Sequence, residues 1–317
     1  MPVVVEDIEL HLGPKEQGAP DSLLEPILAF IGKAKKKQNL MIAVQEIDNR
    51  MIAEAIVEAR LRGVHVDLIV EQSYLLGKDK PSDLNAAFDA DGPHEANHFL
   101  INAIMRSTAD VKIDFNPKIF HQKFMKLGNS VLTGSTNFTN TGVSKNFNHI
   151  VTIRNTTVAN AFKAEFREIK AGRFGRQSLD RDETPREARV SNIRVKTLFA
   201  PDHAPEMEIM KQILKAQERI DFAVFTFARS SGIDDALIAA HERGVQVSGV
   251  LDRKQSNQKW AAKRALLDAG IEIKLAGGRG GLGKLHHKMM VIDDQVSIFG
   301  SLTTQLQPTI QMMKILS

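Results

Sequence analysis

The chain reads as an α/β protein made of two similar halves whose matching motifs face one another across a pseudo-twofold interface. One observation is the alternation of helical patterns with short, continuous apolar runs. Such runs suit strands that helices cover on both faces of a sheet. The other is internal repetition. Residues 59–71, ARLRGVHVDLIVE, and residues 240–252, AHERGVQVSGVLD, follow one plan: the end of an amphipathic helix, a glycine C-cap at Gly63 or Gly244, and a valine-rich strand.

The remaining elements extend that repeat. Residues 23–37 and 206–217 have helical spacing and lead into apolar strands at 40–44 and 220–227; 111–115 and 271–275 are further strands. The segment 171–191 contains Gly172, Arg173, Gly175 and Arg176 before an Asp-Arg-Asp-Glu-Thr-Pro-Arg run, and it has no apolar periodicity. It is read as a linker between a first domain at 1–170 and a second at 192–317. From Gly63 to His121 is 58 positions and from Gly244 to His286 is 42, so the first half carries 16 extra residues within 72–109. An insertion ahead of a site strand is expected to form a loop that shapes access.

With 317 residues, the chain is long enough for two domains with their own cores. No apolar run approaches the ~18 residues of a membrane span, and the first residues lack the basic and apolar regions of a secretory signal, so a cytoplasmic protein is expected. The absence of cysteine excludes disulfides, thiolate nucleophiles and cysteine-bound zinc. A formal charge of +4 and a pI near 9.1 lean toward polyanionic partners. One tryptophan and one tyrosine make extensive base stacking a poor basis for binding.

Each half then presents the same small set of polar residues. His121 and Lys123 precede Gly134, Ser135, Thr136 and Asn137; His286 and Lys288 precede Gly300, Ser301, Leu302 and Thr303. A histidine and a lysine two positions apart on a strand point to the same face. One histidine can attack phosphorus while the other protonates the leaving oxygen and then activates water. Lys123 and Lys288 would hold the non-bridging oxygens, and Ser135, Asn137, Ser301 and the glycine turn amides would add hydrogen bonds. His287 points away from His286 and is assigned to packing, as are the isolated histidines His11, His65, His94, His98, His149, His203 and His241. No metal site or cofactor is expected. The glycine-rich stretch 277–284 places Arg279 and Lys284 where they could approach a substrate phosphate at the rim.

With His286-x-Lys288-x4-Asp293-x6-Gly300-Ser301, and with His121, Lys123, Gly134, Ser135 and Asn137 in the first half, the chain resembles the phospholipase D superfamily over about residues 23–303. The resemblance implies two phospholipase D-like α/β/α sandwich domains, a site at their interface, and metal-independent phosphodiester chemistry through a phosphohistidine. It further implies His121 as nucleophile and His286 as acid, with Asp293 supporting its strand. The chain departs from the family pattern in three places. Gly128 replaces the first motif's aspartate, Thr303 replaces the second asparagine, and the acidic residues expected nearly thirty positions after each histidine are replaced by the stretches Asn146–His149 and Met312–Lys314. Residues 305–317 do not resemble the strand and acidic turn expected there, so the second domain is read as ending in a truncated or altered C-terminus.

The leading functional expectation is a largely sequence-nonspecific nuclease acting on DNA or RNA, for which a monomer with two half-sites suffices. A phospholipase D or cardiolipin synthase-like enzyme is the first alternative. A catalytically impaired nucleic-acid-binding protein is the second, motivated by Gly128, Thr303 and the missing carboxylates.

Overall fold

The computed structural model describes residues 1–75, 85, 94–115, 120–173, 184–277 and 281–301 in full, and 310–316 as backbone. The first sheet contains β1 (Val3–Val5), β2 (Ile8–Gly13), β3 (Asn39–Val44), β4 (His65–Glu71), β5 (Asp110–Asp114), β6 (Lys123–Leu127), β7 (Ser130–Gly134) and β8 (Asn148–Arg154). The second contains β9 (Ala188–Val190), β10 (Ile193–Ala200), β11 (Arg219–Val224), β12 (Gln246–Asp252), β13 (Glu272–Ala276), β14 (Lys288–Ile292), β15 (Val296–Gly300) and β16 (Ile310–Leu316). The strand orders are β1-β2-β8-β7-β6-β3-β4-β5 and β13-β12-β11-β14-β15-β16-β10-β9. Reversing the first order and adding eight to each number gives the second, so the duplication extends to every strand.

The apolar runs are continuous because both sheet faces are covered. In β3, Leu40, Ile42 and Val44 pack toward helices Leu24–Gly32, Arg50–Leu61 and Glu95–Arg106, while Met41 and Ala43 face the seam between the halves. Helix Thr156–Lys170 fills that seam through Val158, Phe162, Phe166 and Ile169, packed with Phe120 and Phe124 from the first half and Phe199 and Phe299 from the second. Helices Pro205–Ile213, Ile233–Glu242 and Lys263–Asp268 cover the outer face of the second sheet. The layer sequence is therefore helices, sheet, seam, sheet, helices.

Local sequence explains the element ends. The Asn49 side chain accepts from the Ile52 amide at the start of Arg50–Leu61, and Asn155 caps Thr156–Lys170 in the same way. Gly63 and Gly244 have φ of 86° and 95°, the left-handed conformation that ends a helix without a Cβ penalty.

Two expectations need correction. Residues 310–316 do form the expected strand: β16 lies between β15 and β10, pairing Gly300 with Met312 and Ala200 with Ile310. Its composition hid it, because Gln311 and Lys314 interrupt an apolar run that has no period-two alternation. The stretch read as linker also ends in structure, since Ala188–Val190 forms β9 and adds an edge to β10.

Candidate active site

The site forms where the two His-x-Lys segments meet. β6 pairs antiparallel with β3, setting Lys123 opposite Val44, and β14 pairs with β11 to set Lys288 opposite Val224. The His121 and His286 ring centroids lie 6.5 Å apart at 62°. All four side chains are nearly removed from water, with exposures of 8% for His121, 1% for Lys123, 7% for His286 and 6% for Lys288.

The halves orient one another's histidines. His121 Nδ1 lies 3.1 Å from the Ser301 carbonyl, and His286 Nδ1 lies 3.1 Å from the Ser135 carbonyl. A carbonyl can only accept, so each Nδ1 carries the proton and each Nε2 holds a free lone pair. Burial, and then the neighbouring lysines, hold both imidazoles well below the usual histidine pKa, so both are neutral near pH 7. Lys123 Nζ donates to the His121 carbonyl at 2.9 Å and Lys288 Nζ to the His286 carbonyl at 2.7 Å. Burial lowers the pKa of both lysines as well. A bound phosphodiester would bring a negative charge beside them and favour their protonated forms.

The carboxylates missing from the motif have partial replacements. Asn148 stands at the start of β8, and its Oδ1 accepts from His286 Nδ1 at 2.8 Å and from Ser135 Oγ at 2.8 Å. Its Nδ2 donates to the Gly142 carbonyl at 2.9 Å, which fixes which end of the amide faces the histidine. The equivalent strand position in the second half is Ile310, because Gly134 pairs with Ile150 and Gly300 with Met312. An amide thus orients His286, and the residue type at 310 has no polar group to do the same for His121.

Two further acids hold the backbone just before the histidines. Glu71 ends β4 and accepts from the Phe120 amide; Asp252 ends β12 and accepts from the Leu285 amide at 3.1 Å. Motif reading missed both, although they close the two repeated segments, VDLIVE and VSGVLD, at the same position.

The remaining sequence candidates divide clearly. Ser135 and Ser301 orient the histidines through their carbonyls, and Ser301 Oγ is buried without a partner among the described residues. Asn137 Nδ2 donates to Glu46 Oε1 at 3.0 Å. Asp293 sits at the far end of β14 from Lys288, where its carboxylate accepts from the amides of Gln217, Glu218 and Arg219 at 2.8 to 2.9 Å. It supports a strand entry, and at the equivalent turn Gly128 needs no side chain to adopt φ of 57°. Lys284 Nζ lies 5.7 Å from the centroid of the Phe225 ring at the rim. Arg279 and Thr303 lie outside the described residues. Gly134 is required sterically, since a Cβ there would lie 2.2 Å from the His149 carbonyl oxygen.

The insertion in the first half reaches the site through Tyr74. Asn97 accepts from the Ile47 amide at 2.7 Å and donates to the Tyr74 carbonyl at 2.7 Å. The Tyr74 hydroxyl accepts from Gln45, whose Oε1 accepts from Lys123 Nζ at 3.1 Å. His287, assigned to packing, stacks on His149 with centroids 5.6 Å apart at 13°. Folding also assembles Glu165, Glu168 and Asp202, whose ligand atoms lie within 4.8 Å of one another. Glu165 accepts from Gln122 Nε2 at 3.1 Å, on the side of the segment facing away from His121 and Lys123.

Comparison with known proteins agrees with this architecture. "Phospholipase D" of Rickettsia prowazekii (strain Madrid E) is 34% identical over 112 residues, 35% of this chain and 53% of the relative. "Mitochondrial cardiolipin hydrolase" of Xenopus tropicalis is 31% identical over 97 residues, 31% of this chain and 44% of the relative. The chain thus spans about half the length of the curated relatives it matches. The crystal structure of phosphatidylserine synthase from Haemophilus influenzae Rd KW20 has a TM-score of 0.67 at 13% identity, covering 100% of this chain and 84% of that one, which is a likeness of fold. The family described as "Cardiolipin synthase, PLD-like domain" matches residues 27–170 and 209–305. Because that match takes in both His-x-Lys motifs and most of both sheets, the chain belongs to this phospholipase D-like family.

Proposed function

We propose that the protein is a metal-independent phosphodiesterase. The observation that carries this reading is the pair of imidazoles, each with its Nδ1 facing a carbonyl of the opposite half, beside two buried lysines.

In the first step Nε2 of His121 attacks phosphorus, the P–O bond to the leaving alcohol breaks, and His286 gives that oxygen a proton. His286 must be protonated for this step. The charge of the bound diester and the Asn148 amide oxygen both favour its imidazolium. In the second step neutral His286 takes a proton from water, the water oxygen attacks phosphorus, and the N–P bond breaks. The lysines hold the non-bridging oxygens as charge develops on them. Asn148 supports this assignment of roles, since among the described residues His286 alone has an amide oxygen at Nδ1 to stabilise its charged form.

For substrate, the leading reading is a nuclease that grips phosphates without reading bases. A net charge of +4, a pI near 9.1 and Lys284 at the rim support it. A phosphatidyl hydrolase or transferase is the second reading, favoured by the names of the relatives. No helix among the described residues is long and apolar enough to cross a membrane.

The test is cleavage of labelled DNA and RNA, single- and double-stranded, in EDTA, beside phosphatidylglycerol vesicles. Cutting of nucleic acid that falls steeply with salt and disappears in both His121→Ala and His286→Ala is expected. Lipid cleavage alone would replace the nuclease reading, and nucleic-acid binding unchanged by His121→Ala without turnover would make the protein an impaired binder.

A further inference from the structure

Among the described residues, the two halves share a backbone plan but not a charge at the site. Since Val44 faces Lys123 and Val224 faces Lys288, the residues that follow correspond in order: Gln45 with Phe225, Glu46 with Thr226, and Asp48 with Ala228. The first half therefore places two carboxylates where the second has a hydroxyl and a methyl group. Glu46 is partly buried and is held by the Asn137 amide at 3.0 Å. Burial and Asp48 raise its pKa, while Lys123, Asn137 and Lys284 act in the opposite direction, which places it electrostatically within the site. The second half instead brings Lys284 to the rim, beside Phe225. The counterpart of Lys284, preceding Phe120 as Lys284 precedes Leu285, is Ile119, which has no charge.

We propose that Glu46 gives the site a direction: the ester arm lying over the first half ends in a free hydroxyl, and the arm that continues to another phosphate lies over the second half. This inference rests on the nuclease reading and narrows its substrate to the ends of nucleic-acid strands.

The two arms leave one phosphorus whose non-bridging oxygens are held between Lys123 and Lys288. An internal linkage has a further phosphate on each side, so one of them must cross Glu46 and Asp48, and like charges there oppose binding. A terminal nucleoside brings a hydroxyl to that side instead, and the Glu46 carboxylate can accept a hydrogen bond from it. Over the second half, Lys284 offers a cation to the next phosphate and Phe225 a ring face to a base. The same chemistry would fit the headgroup alcohol of a phospholipid over the first half, so the test includes that source.

The experiment compares wild type with Glu46→Gln on a short single-stranded oligonucleotide ending in hydroxyls, the same oligonucleotide ending in phosphates, and its closed circle. Wild type should cut the hydroxyl-ended strand at least about tenfold faster than the other two, and Glu46→Gln should bring the three rates to within about threefold. The readout is a ratio, so a partly damaged variant still reports it. Equal cutting of circle and linear strand by wild type, or an undiminished ratio in Glu46→Gln, overturns the direction while leaving the nuclease reading intact. If no oligonucleotide is cut, the same pair of proteins is compared on vesicles of phosphatidylglycerol and of phosphatidylmethanol. A Glu46-dependent preference for the hydroxyl-bearing headgroup then supports the direction and overturns only the nuclease reading. No such preference on either lipid overturns both.

Discussion

The first half furnishes its side of the site with polar groups, and the second half furnishes its side with an aromatic ring. Lys123 donates to Gln45 beside Glu46 and Asn137, whereas Lys288 sits 5.2 Å from the centroid of Phe225, whose ring lies 4.7 Å from His286. What the halves share is mostly backbone chemistry. Each histidine is oriented by a serine carbonyl across the seam, and each lysine is tethered to the carbonyl of its own histidine. Duplication therefore fixed the positions of the reacting groups, and substitution around them separated their roles.

The largest effects should come from removing the histidines one at a time. His121→Ala and His286→Ala should each lower turnover of an oligonucleotide by about 10²–10⁴-fold, the range for a positioned acid, base or nucleophile. They should differ on an activated diester such as bis(p-nitrophenyl) phosphate, whose leaving group needs no proton. There His286→Ala still attacks phosphorus and accumulates a phosphorylated protein, visible as a mass increase, while His121→Ala shows none. Accumulation in His121→Ala instead would exchange the two roles.

A finer test exchanges the residue that distinguishes the histidines. Asn148→Leu leaves His286 with a backbone acceptor only and should lower kcat by about tenfold, as removal of an orienting partner commonly does. Asn148→Asp restores the carboxylate that the family motif contains and raises the pKa of His286. Since His286 must be protonated to act as acid, the alkaline limb of the kcat/KM profile should move upward in pH. An unmoved limb would mean that Asn148 only packs.

These tests follow lines that the sequence exposed unevenly. His121, Lys123, His286 and Lys288 were legible because a two-residue spacing in an extended segment fixes a shared face, and the chain states that spacing twice, although each strand begins only at its lysine. The α/β class and the duplication were legible for the same reason, since the helix–glycine–strand unit recurs; the strand order was not. Asn148 was visible only as the absence of an acid: a search for carboxylates passes over an amide that makes the same bond from the other half. Glu46 escaped because its position is defined by pairing β3 with β6, a register that no local pattern contains. β16 was missed because Ile310–Leu316 does not alternate and carries Gln311 and Lys314 within its apolar run.

Glu71 and Asp252 offer a comparison of stability. Each fixes the amide of the residue before a site histidine, but Glu71 is fully buried and also accepts from Ser73 N and Oγ, while Asp252 accepts from the amides of Lys254 and Gln255. Replacing either with leucine strands a buried amide and should lower stability by about 1–3 kcal/mol in urea unfolding. Activity should fall in both, because the segment that leads into the site histidine loses its anchor. A stable and fully active Glu71→Leu protein would remove the carboxylate from any role in placing His121.

The smallest effect expected concerns the stacked imidazoles at the seam. His149 and His287 bring their Nδ1 atoms to 3.3 Å, with Phe147 stacked on His287 at 6.4 Å between centroids, and Lys288 is the charged neighbour. Burial first, and then Lys288, pushes His287 down to about 3 from a usual 6.5. The unfolded chain therefore binds a proton at His287 that the folded chain rejects. Its contribution to stability is complete above pH ~6.5 and is lost as pH falls toward the folded value. Between pH 7.5 and 6 the loss at this residue comes to about 0.8 kcal/mol by that linkage. Gln122 occupies the matching position in the first half, so His287→Gln is the natural control. It removes this titration and leaves those of His121 and His286 in place. Urea unfolding at the two pH values should show wild type losing about 0.8 kcal/mol more than the variant. Equal losses would mean that His287 is already protonated in the folded seam, and that the stacked pair carries a charge its surroundings must balance.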